Sequence, residues 1–366
     1  MIKILHGADF HLDSPFEALP PEKAMAQRAM QRELLDQLID MAILNQVDAI
    51  LLAGDILDSD KAYFETREAL AKTFSKTNIP IFISPGNHDF YHRHAPWTLA
   101  LPKNVHVFDK NELEAIEIPE KNLVVWGAAF TQSHSPGLLG NFTPPEPDGK
   151  IHVMVLHGDV GGTEYYNPIH PEEIKASKMH YIALGHKHRY SGLQQAGNVF
   201  YAYPGVFQGR GFDEQGPCGV ILAKLTPSSV RIDFCPLKGR QYHHIQMDVS
   251  DVSNIKEAIE KALPKNPKES ICRISLLGET DEHVSISSLT EIFESQCFHL
   301  EIRDQLSLRR NIWNRAEEDN LRGLFLRKMR LAYDGAQTEE ERQKIILAVR
   351  FAISAMEQGD QLGVMK

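Results

Sequence analysis

A short apolar run that stops at a sharp turn constrains the fold of this chain more than any other feature. Residues 79–83 read Ile-Pro-Ile-Phe-Ile and residues 84–86 follow as Ser-Pro-Gly, which is typical of a buried strand that ends abruptly. Three polar residues come next: Asn87 offers a neutral oxygen, His88 a nitrogen that titrates near pH 7, and Asp89 a carboxylate that could orient the histidine. Catalytic groups concentrate on loops at strand ends, but a segment rich in Asn, Asp and Gly can also be only a turn.

Composition indicates a globular protein with sizeable cores. The chain has 366 residues, which favours two or three domains, and it is 42% apolar and 24% charged. Its formal net charge of -10 argues against a protein that coats nucleic acid electrostatically. That argument is weakened because carboxylates that bind divalent cations reverse the local sign of charge.

The sequence predicts a cytoplasmic protein. Its first residues are already strand-like, without a signal-peptide pattern, and no apolar run approaches the ~20 residues of a membrane span. The four cysteines are scattered and show neither metal nor redox spacing, so we expect free thiols in a reducing compartment.

Alternating apolar runs and helical patterns predict a layered α/β fold. We expect a two-sheet β-sandwich flanked by helices over residues 1–238, followed by a small α+β domain over residues 239–304. Residues 305–366 are predicted to form a C-terminal helical segment, with a break around residues 333–335. Within it, Thr338 with Glu341 has the pattern of a capping box that begins a second helix.

Five polar clusters follow five predicted strands, and together they favour a metal site. Their side chains are imidazoles, carboxylates and one amide, which suits Mn²⁺, Fe²⁺, Zn²⁺ or Mg²⁺ and disfavours a closed structural zinc. Residues two apart in an extended segment point the same way, so paired ligands could bind a shared centre. There are too many ligands for one ion, which indicates two ions bridged by a carboxylate. The clusters are Asp9 and His11; Asp55 and Asp58; Asn87, His88 and Asp89; His157; and His186 and His188.

These motifs, Asp-x-His, Gly-Asp-x-x-Asp, Gly-Asn-His-Asp, a lone His and Gly-His-x-His in that order, resemble the calcineurin-like metallophosphoesterase superfamily. Within it the chain is similar to SbcD-like DNA repair nucleases, among them the bacillar YhaO type. The narrower similarity depends on residues 181–188, Tyr-Ile-Ala-Leu-Gly-His-Lys-His, and on residues 203–205, Tyr-Pro-Gly, followed by Arg210, Phe212 and Glu214.

The resemblance implies a dimetal phosphodiesterase, most simply with two Mn²⁺ ions. One metal would be held by Asp9, His11, Asp55 and His188, and the other by Asp55, Asn87, His157 and His186, with Asp55 as the bridge. His88 would contact the phosphate or protonate the leaving oxygen, and Asp89 would orient it. This chain has Asp58 where some family nucleases carry His, so the role of Asp58 near the substrate is open.

Substrate contacts are less well defined by the sequence. Asp58, Arg93, Lys187 and Arg210 are candidates, although basic loop residues can also form an ordinary solvated surface. Three aromatic residues could stack unpaired bases or simply pack turns. They are Tyr165, Tyr166 and Phe212.

The resemblance implies DNA as substrate, 3′→5′ exonuclease activity in DNA repair, and an SbcC-like SMC-type ATPase as partner; a homodimer is compatible with it. The C-terminal helices would then dock on the ATPase, or they could pack only on each other and on the small domain. Two alternatives stay open at this point. One is a phosphatase or phosphodiesterase acting on small molecules or phosphoproteins, and the other is a structural subunit that binds DNA ends or a partner.

Overall fold

The computed structural model describes residues 1–98, 101–162, 165–250, 252, 254–280, 284–308, 313 and 315–362. Within them the strands are β1 (Ile2–Gly7), β2 (Ala49–Leu52), β3 (Ile81–Ile83), β4 (Val105–Val107), β5 (Glu114–Ile118), β6 (Leu123–Gly127), β7 (Ile151–His157), β8 (Asp159–Val160), β9 (Pro168–Ile169), β10 (Tyr181–Gly185), β11 (Gln194–Ala196), β12 (Val199–Ala202), β13 (Gly219–Thr226), β14 (Ser229–Pro236), β15 (Gln241–Asp248), β16 (Ser270–Thr280) and β17 (His299–Leu308). The α-helices are α1 (Pro21–Asn45), α2 (Phe64–Phe74), α3 (Pro171–Ala176), α4 (Ile255–Ala262), α5 (Ile286–Phe293), α6 (Leu321–Gly335) and α7 (Glu339–Leu362).

Two six-stranded sheets confirm the predicted α/β sandwich. The first has the order β14-β13-β1-β2-β3-β4 and the second the order β11-β12-β10-β7-β6-β5. Strands β1 to β4 pair in parallel, as do β6, β7, β10 and β12. Antiparallel pairs occupy the remaining positions.

Apolar side chains hold the two sheets together and cover their outer faces. Between the sheets, Ile4 and Leu51 of the first share one buried cluster with Val155 and Ala183 of the second. Helices α1 and α2 pack on the outer face of the first sheet, and α3 packs on the second. Near-continuous burial of β2, β7 and β10 explains why these strands were visible in the sequence as apolar runs.

The parallel strands place the candidate site at one edge. Parallel strands end at the same edge of a sheet, and ligands bind there in many α/β proteins. Two glycines let the loops at this edge approach closely, because a Cβ at Gly54 would lie 2.5 Å from Nδ1 of His157, and a Cβ at Gly86 would overlap the Asp55 carboxylate. The fold therefore brings the segments after β1, β2, β3, β7 and β10 together.

The described chain divides into two compact units. The first comprises residues 1–245, 259–274 and 288–302, and the second residues 246–258, 275–287 and 303–366. A third sheet has the order β15-β16-β17. The domain boundaries after residues 238 and 304 stay predictions.

The C-terminal segment differs in detail from the expectation. Strand β17 continues to Leu308, whereas the sequence was expected to be helical from about residue 306; alternation of apolar and polar residues continues there through Leu306. The helices are separated after Gly335, and the predicted capping box forms, since the Glu341 amide donates to the Thr338 hydroxyl and the Thr338 amide donates to the Glu341 carboxylate. Residues 309–312, 314 and 363–366 of the predicted helical segment lie outside the described residues.

Two further expectations concern the cysteines and membranes. All four cysteines have free thiols, two of them buried and two half-buried, as the sequence predicted. No described helix combines the length and the apolar character needed to cross a bilayer.

Candidate active site

Side chains from separate strand ends converge into groups suited to a cation. Asp9, Asp55 and His157 each place one ligand atom within 4.8 Å of the others, and so do Asp9, His11 and His188. The residues of both groups are buried except His188, which is half-buried. Burial of carboxylates and imidazoles together is costly unless they are paired or hold a metal, so this convergence indicates a binding function.

The backbone is strained where these side chains enter the site. Positive φ angles occur at Asp9 (52°), His11 (46°), Asp55 (50°) and His186 (108°), a region that residues with a Cβ rarely adopt. Backbone bonds hold the strained loops against each other: the Asp9 amide donates to the Gly54 carbonyl at 3.0 Å, and the His11 amide to the Asp55 carbonyl at 2.9 Å. Strain of this kind persists where the fold over-determines a functional geometry.

The first ligand set contains histidines that each bind a supporting carboxylate through one ring nitrogen. Nδ1 of His11 lies 3.1 Å from Oδ1 of Asp58, and Nδ1 of His188 lies 2.8 Å from Oε1 of Glu214. These nitrogens donate, because an ionised carboxylate can only accept. Nε2 of His11 is then an acceptor, buried, 3.9 Å from Oδ2 of Asp55 and without a hydrogen-bond partner among the described residues. An orphaned buried lone pair facing a carboxylate fits a cation between them.

The second ligand set shows the same property around His157. Its Nδ1 donates to the Ala53 carbonyl at 3.0 Å, so Nε2 carries the lone pair. That Nε2 lies 2.9 Å from Oδ1 of Asn87, 3.4 Å from Oδ2 of Asp55 and 3.3 Å from Nδ1 of His186. Acceptors at these distances repel one another unless a positive charge lies among them. The donor set therefore fits a second divalent cation.

Electrostatics favour metal binding over proton binding at the imidazoles. Burial lowers the pKa of His11 and His157, and it lowers the pKa of His186 to about 4. These rings are therefore neutral near pH 7, which is the form that coordinates a metal. Burial, followed by the neighbouring Asp55 charge, raises the pKa of Asp9 well above its usual range, although the His186 amide donates to both Asp9 oxygens at 3.1 Å.

The pKa of Asp55 is shifted in the opposite direction to that of Asp9. Burial raises the pKa of the Asp55 carboxyl group. The neighbouring imidazoles of His157, His11 and His88 act in the opposite direction and outweigh burial, so the pKa of Asp55 is lowered. The Asp55 carboxylate lies near groups of both ligand sets, which is the position expected of a bridge.

The expectation that Asp89 orients His88 is wrong. Both Asp89 oxygens accept hydrogen bonds from backbone N–H groups of the loops after β2 and β3, and the donors are Gly86 at 2.7 Å, Asp55 at 3.2 Å, Ile56 at 2.8 Å and Leu57 at 3.2 Å. His88 is held differently, since its Nδ1 donates to the Asp58 carbonyl at 3.0 Å. Burial and the charge of Asp55 raise the pKa of Asp89 to about 7, while the amides act in the opposite direction. Asp89 therefore fixes the shape of the loops after β2 and β3, and its carboxylate does not bond the His88 imidazole.

An open cavity of about 720 Å³ adjoins this centre, and all of its lining residues belong to the first unit. Exposed His88 lines it together with two tentative substrate contacts, Asp58 and Arg210. The guanidinium of Arg210 is 3.2 Å from Asp58 and 2.6 Å from Glu214, so it is fixed at the cavity wall. A substrate in this cavity would meet His88 directly.

The other tentative contacts are not brought to the cavity. Nζ of Lys187 donates to the Val160 carbonyl at 2.7 Å and lies 3.0 Å from Asp159, so its charge is used within its own loop region. Arg93 is exposed and is not among the residues that line this cavity. Both were predicted from charge alone, which does not reveal direction.

The three aromatic residues considered for base stacking differ in exposure. Phe212 is 8% exposed and packs edge-on against Tyr242, which favours a packing role, and it also lines the cavity. The exposed ring of Tyr166 lies 5.2 Å from the ring of His186, and Tyr165 is exposed beside it.

Supporting residues were missed by sequence reasoning. Glu214 was noted only as part of the resemblance, yet it holds both His188 and Arg210. Gln31 of α1 donates at 3.2 Å to the carbonyls of Phe10 and His11 and so fixes the first ligand loop. A polar residue on the apolar face of a helix was the available signal for Gln31.

The model of the calcineurin-like phosphoesterase family matches residues 2–190 of the chain. A Bacillus subtilis protein named uncharacterized metallophosphoesterase YhaO is 28% identical over 303 residues, covering 77% of this chain and 73% of that protein. The SbcD component of the nuclease SbcCD from Staphylococcus saprophyticus is 23% identical over 308 residues, covering 75% and 78%. The DNA double-strand break repair protein Mre11 of Saccharolobus solfataricus is 27% identical over 217 residues, covering 54% and 53%.

These similarities agree with the resemblance to SbcD-like proteins. The family match covers more than half of the chain and includes every strand end that contributes a candidate metal ligand. This chain therefore belongs to the calcineurin-like phosphoesterase family and is a metal-dependent phosphoesterase.

Proposed function

We propose that this protein is a DNA nuclease with two divalent cations, most simply Mn²⁺, and that it acts as a 3′→5′ exonuclease in DNA repair. Asp9, His11, Asp55 and His188 would hold one ion, and Asp55, Asn87, His157 and His186 the other. The observation that carries the proposal is the open cavity of about 720 Å³, which has His88 and Asp58 beside the ligand groups and Arg273 among its other lining residues. A cavity of this size accommodates more of a substrate than one phosphate group.

The chemistry divides between the cations and the chain's own residues. When bound, a pair of divalent cations makes water more acidic and neutralises the charge of a phosphodiester. His88 serves the leaving group: its Nδ1 donates to the Asp58 carbonyl, so Nε2 is the nitrogen that carries the transferable proton in the imidazolium form. Arg210 shares its charge with Asp58 and Glu214, which fix it at the cavity wall, and it would contact a substrate phosphate through guanidinium N–H groups that these carboxylates leave over.

The relatives support a nucleic-acid substrate over a small ester. One is named as part of a nuclease and another as a DNA double-strand break repair protein. The share of the chain aligned with the nuclease component is 75%, which exceeds the part covered by the family model. A likeness that extends beyond the metal motifs favours a shared substrate class.

We further propose that the helical segment binds an SMC-like ATPase of the SbcC type. Helices α6 and α7 pack on each other through buried Leu326 and Val349. Packing leaves Leu324 of α6 48% exposed and Leu331 74% exposed, seven residues apart and therefore on one face. Exposed leucines on one helix face suit docking in an apolar groove.

The docking proposal is tested with paired leucine variants. Leu324→Ser combined with Leu331→Ser is expected to abolish co-purification with the co-expressed cognate ATPase, because the apolar face is lost. Leu44→Ser, at a leucine 83% exposed at the end of α1, is the matched control and should keep the complex. Size-exclusion chromatography reads the result. A complex that survives the double change would place docking elsewhere.

The nuclease proposal is tested with DNA labelled at either the 3′ or the 5′ end, single-stranded and double-stranded. With Mn²⁺ we expect stepwise release from the 3′ end, no cleavage in EDTA, and a kcat/KM for DNA well above that for an aryl phosphate monoester or diester. Strong hydrolysis of the aryl esters without DNA cleavage would show a small-ester hydrolase. Tight DNA binding without any hydrolysis would show a structural role.

A further inference from the structure

Arg273 of β16 is a fixed cation in the wall of the active-site cavity. Its guanidinium carbon lies 3.8 Å above the centre of the Phe212 ring, and its Nε donates to Oε2 of Glu301 at 2.8 Å. The side chain is 16% exposed, and Arg273 lines the same cavity as His88. Stacking and the ion pair together hold the guanidinium in one orientation, so little side-chain entropy remains to be lost when a ligand binds.

The guanidinium atoms of Arg273 that contact neither Phe212 nor Glu301 define what the side chain can bind. One face of the guanidinium is covered by the ring and Nε is already used, which leaves the two terminal nitrogens. Among the described residues no acceptor is recorded for these two nitrogens. Parallel N–H groups on a rigid fork match two oxygens of one phosphate.

Other ligand chemistries fit this part of the cavity less well. Phe212 lines the cavity but offers a base little ring surface, because it is 8% exposed and Arg273 covers one of its faces. Glu17 and Asp213 also line the cavity and disfavour an anion, but both are exposed, where solvent and salt screen them. Asp58, the third carboxylate of the cavity wall, is paired with Arg210 at 3.2 Å, and the guanidinium of Arg273 is partly buried and screened less than the exposed carboxylates.

We infer that Arg273 binds a phosphate of the nucleic-acid backbone other than the one being cleaved, and that it thereby makes the enzyme select polynucleotides over small phosphodiesters. The inference rests on the proposed nuclease function and adds a specificity-determining residue to it. His88 and the cation ligands would act on the scissile phosphate, whereas Arg273 lines the same cavity through its contacts with Phe212 and Glu301 and belongs to neither group of candidate ligands. A small diester has no second phosphate to offer, so Arg273 contributes nothing to its binding.

The test compares Arg273→Gln and Arg273→Lys with Arg231→Gln, a change at an exposed arginine on edge strand β14. Two measurements are made on each protein. The first is the kcat/KM for a single-stranded oligonucleotide divided by the kcat/KM for bis(p-nitrophenyl) phosphate, with Mn²⁺. The second is the affinity for a fluorescein-labelled oligonucleotide in EDTA, by anisotropy over a range of salt concentrations.

We expect Arg273→Gln to lower the ratio about 10- to 100-fold, as the loss of hydrogen bonds between charged groups implies. The oligonucleotide Kd should rise by a similar factor, and the slope of log K against log salt should fall by about one. Arg273→Lys keeps the positive charge but not the two parallel N–H donors. It should therefore lower the kcat/KM ratio nearly as much as Arg273→Gln, while the slope against salt stays at the wild-type value. Arg231→Gln should match the wild type in both measurements.

Three results would overturn the inference. Wild-type kcat/KM values for both substrates, with an unchanged oligonucleotide Kd, in both Arg273 variants would show that no phosphate binds there, although the nuclease proposal would stand. Equal losses on both substrates would show a structural role for the ion pair with Glu301. A wild-type protein that hydrolyses the small diester but not DNA would overturn the nuclease proposal, and this inference with it.

Discussion

Replacing Asp89 by Asn separates a structural carboxylate from a catalytic one. The carboxylate accepts four backbone N–H bonds, two at each oxygen, with Gly86 and Asp55 at Oδ1 and Ile56 and Leu57 at Oδ2. Asparagine keeps the size of the side chain but turns one oxygen into an NH₂ group. Whichever orientation it adopts, two buried N–H donors then face another donor.

The magnitude follows from those two donors. Leaving one buried hydrogen-bonding group unsatisfied costs roughly 1–3 kcal/mol, so the two donors by themselves would cost about 2–6 kcal/mol of unfolding free energy. At pH 8 Asp89 is ionised, because this is above its pKa of about 7. Burial and the Asp55 charge raise that pKa and so disfavour the ionised form in the folded protein; removing the charge therefore offsets part of this cost, and the expected net loss lies at the lower end of the range. The unfolding measurement is made at this pH and in EDTA, so that a change in metal affinity does not contribute to the measured stability.

Urea unfolding followed by circular dichroism gives the answer, with Asp40→Asn, an exposed change on α1, as the matched control. Asp89→Asn should move the midpoint to clearly lower urea, and the control should not. If Asp89→Asn kept wild-type stability while hydrolysis was lost, Asp89 would be acting on His88 after all. The reasoning from backbone contacts would then be refuted.

Other side chains of the site give further tests. His88→Ala should keep both metals by elemental analysis and lower DNA turnover by about 10²–10⁴-fold, because the proton donor is lost; turnover within about threefold of wild type would contradict that role. Glu214→Gln should weaken Mn²⁺ affinity about 10- to 100-fold, since Nδ1 of His188 loses its carboxylate partner. A chelator-competition titration measures it, and an unchanged affinity would show that Glu214 serves Arg210 alone.

The positions of the ligands could be predicted because strand ends are visible in a sequence. The strands β2, β7 and β10 are buried on both faces and therefore appear in the sequence as apolar runs. The end of each run predicts where the following polar residues leave the sheet. Parallel pairing then brings these ends to one edge, which a sequence with alternating strands and helices already implies. Local patterns and the fold agree for this part of the molecule.

The sequence predicted that paired ligands would point the same way because they lie two apart in an extended segment, and that reason is partly wrong. Asp9 and His11 do reach one centre, but through left-handed backbone at both residues and not through the alternation of an extended segment. Alternation alone would also allow His186 and His188 to share a centre, whereas the resemblance implies separate ones. His188 joins Asp9 and His11, while His186 lies against His157. Strained backbone conformations at residues with a Cβ leave no pattern in the sequence.

The role of Asp89 illustrates what a sequence conceals. Its neighbour His88 was the obvious partner, but the donors that satisfy the carboxylate include Asp55 and Leu57, more than thirty residues away along the chain. Such contacts are decided when the loops after β2 and β3 pack, and a buried carboxylate bonds whichever amides then surround it. The same applies to Lys187, whose charge was visible but whose partner, Asp159, was not.

The central claim is that one carboxylate, Asp55, bridges two cations. Equilibrium dialysis against Mn²⁺ followed by elemental analysis tests it most directly, with wild type, Asp55→Ala and the Asp40→Asn control compared at equal metal concentration. We predict two Mn²⁺ per chain in the wild type and the control, and strongly weakened binding at both sites in Asp55→Ala. An Asp55→Ala protein that retains two Mn²⁺ at wild-type affinity would contradict the account.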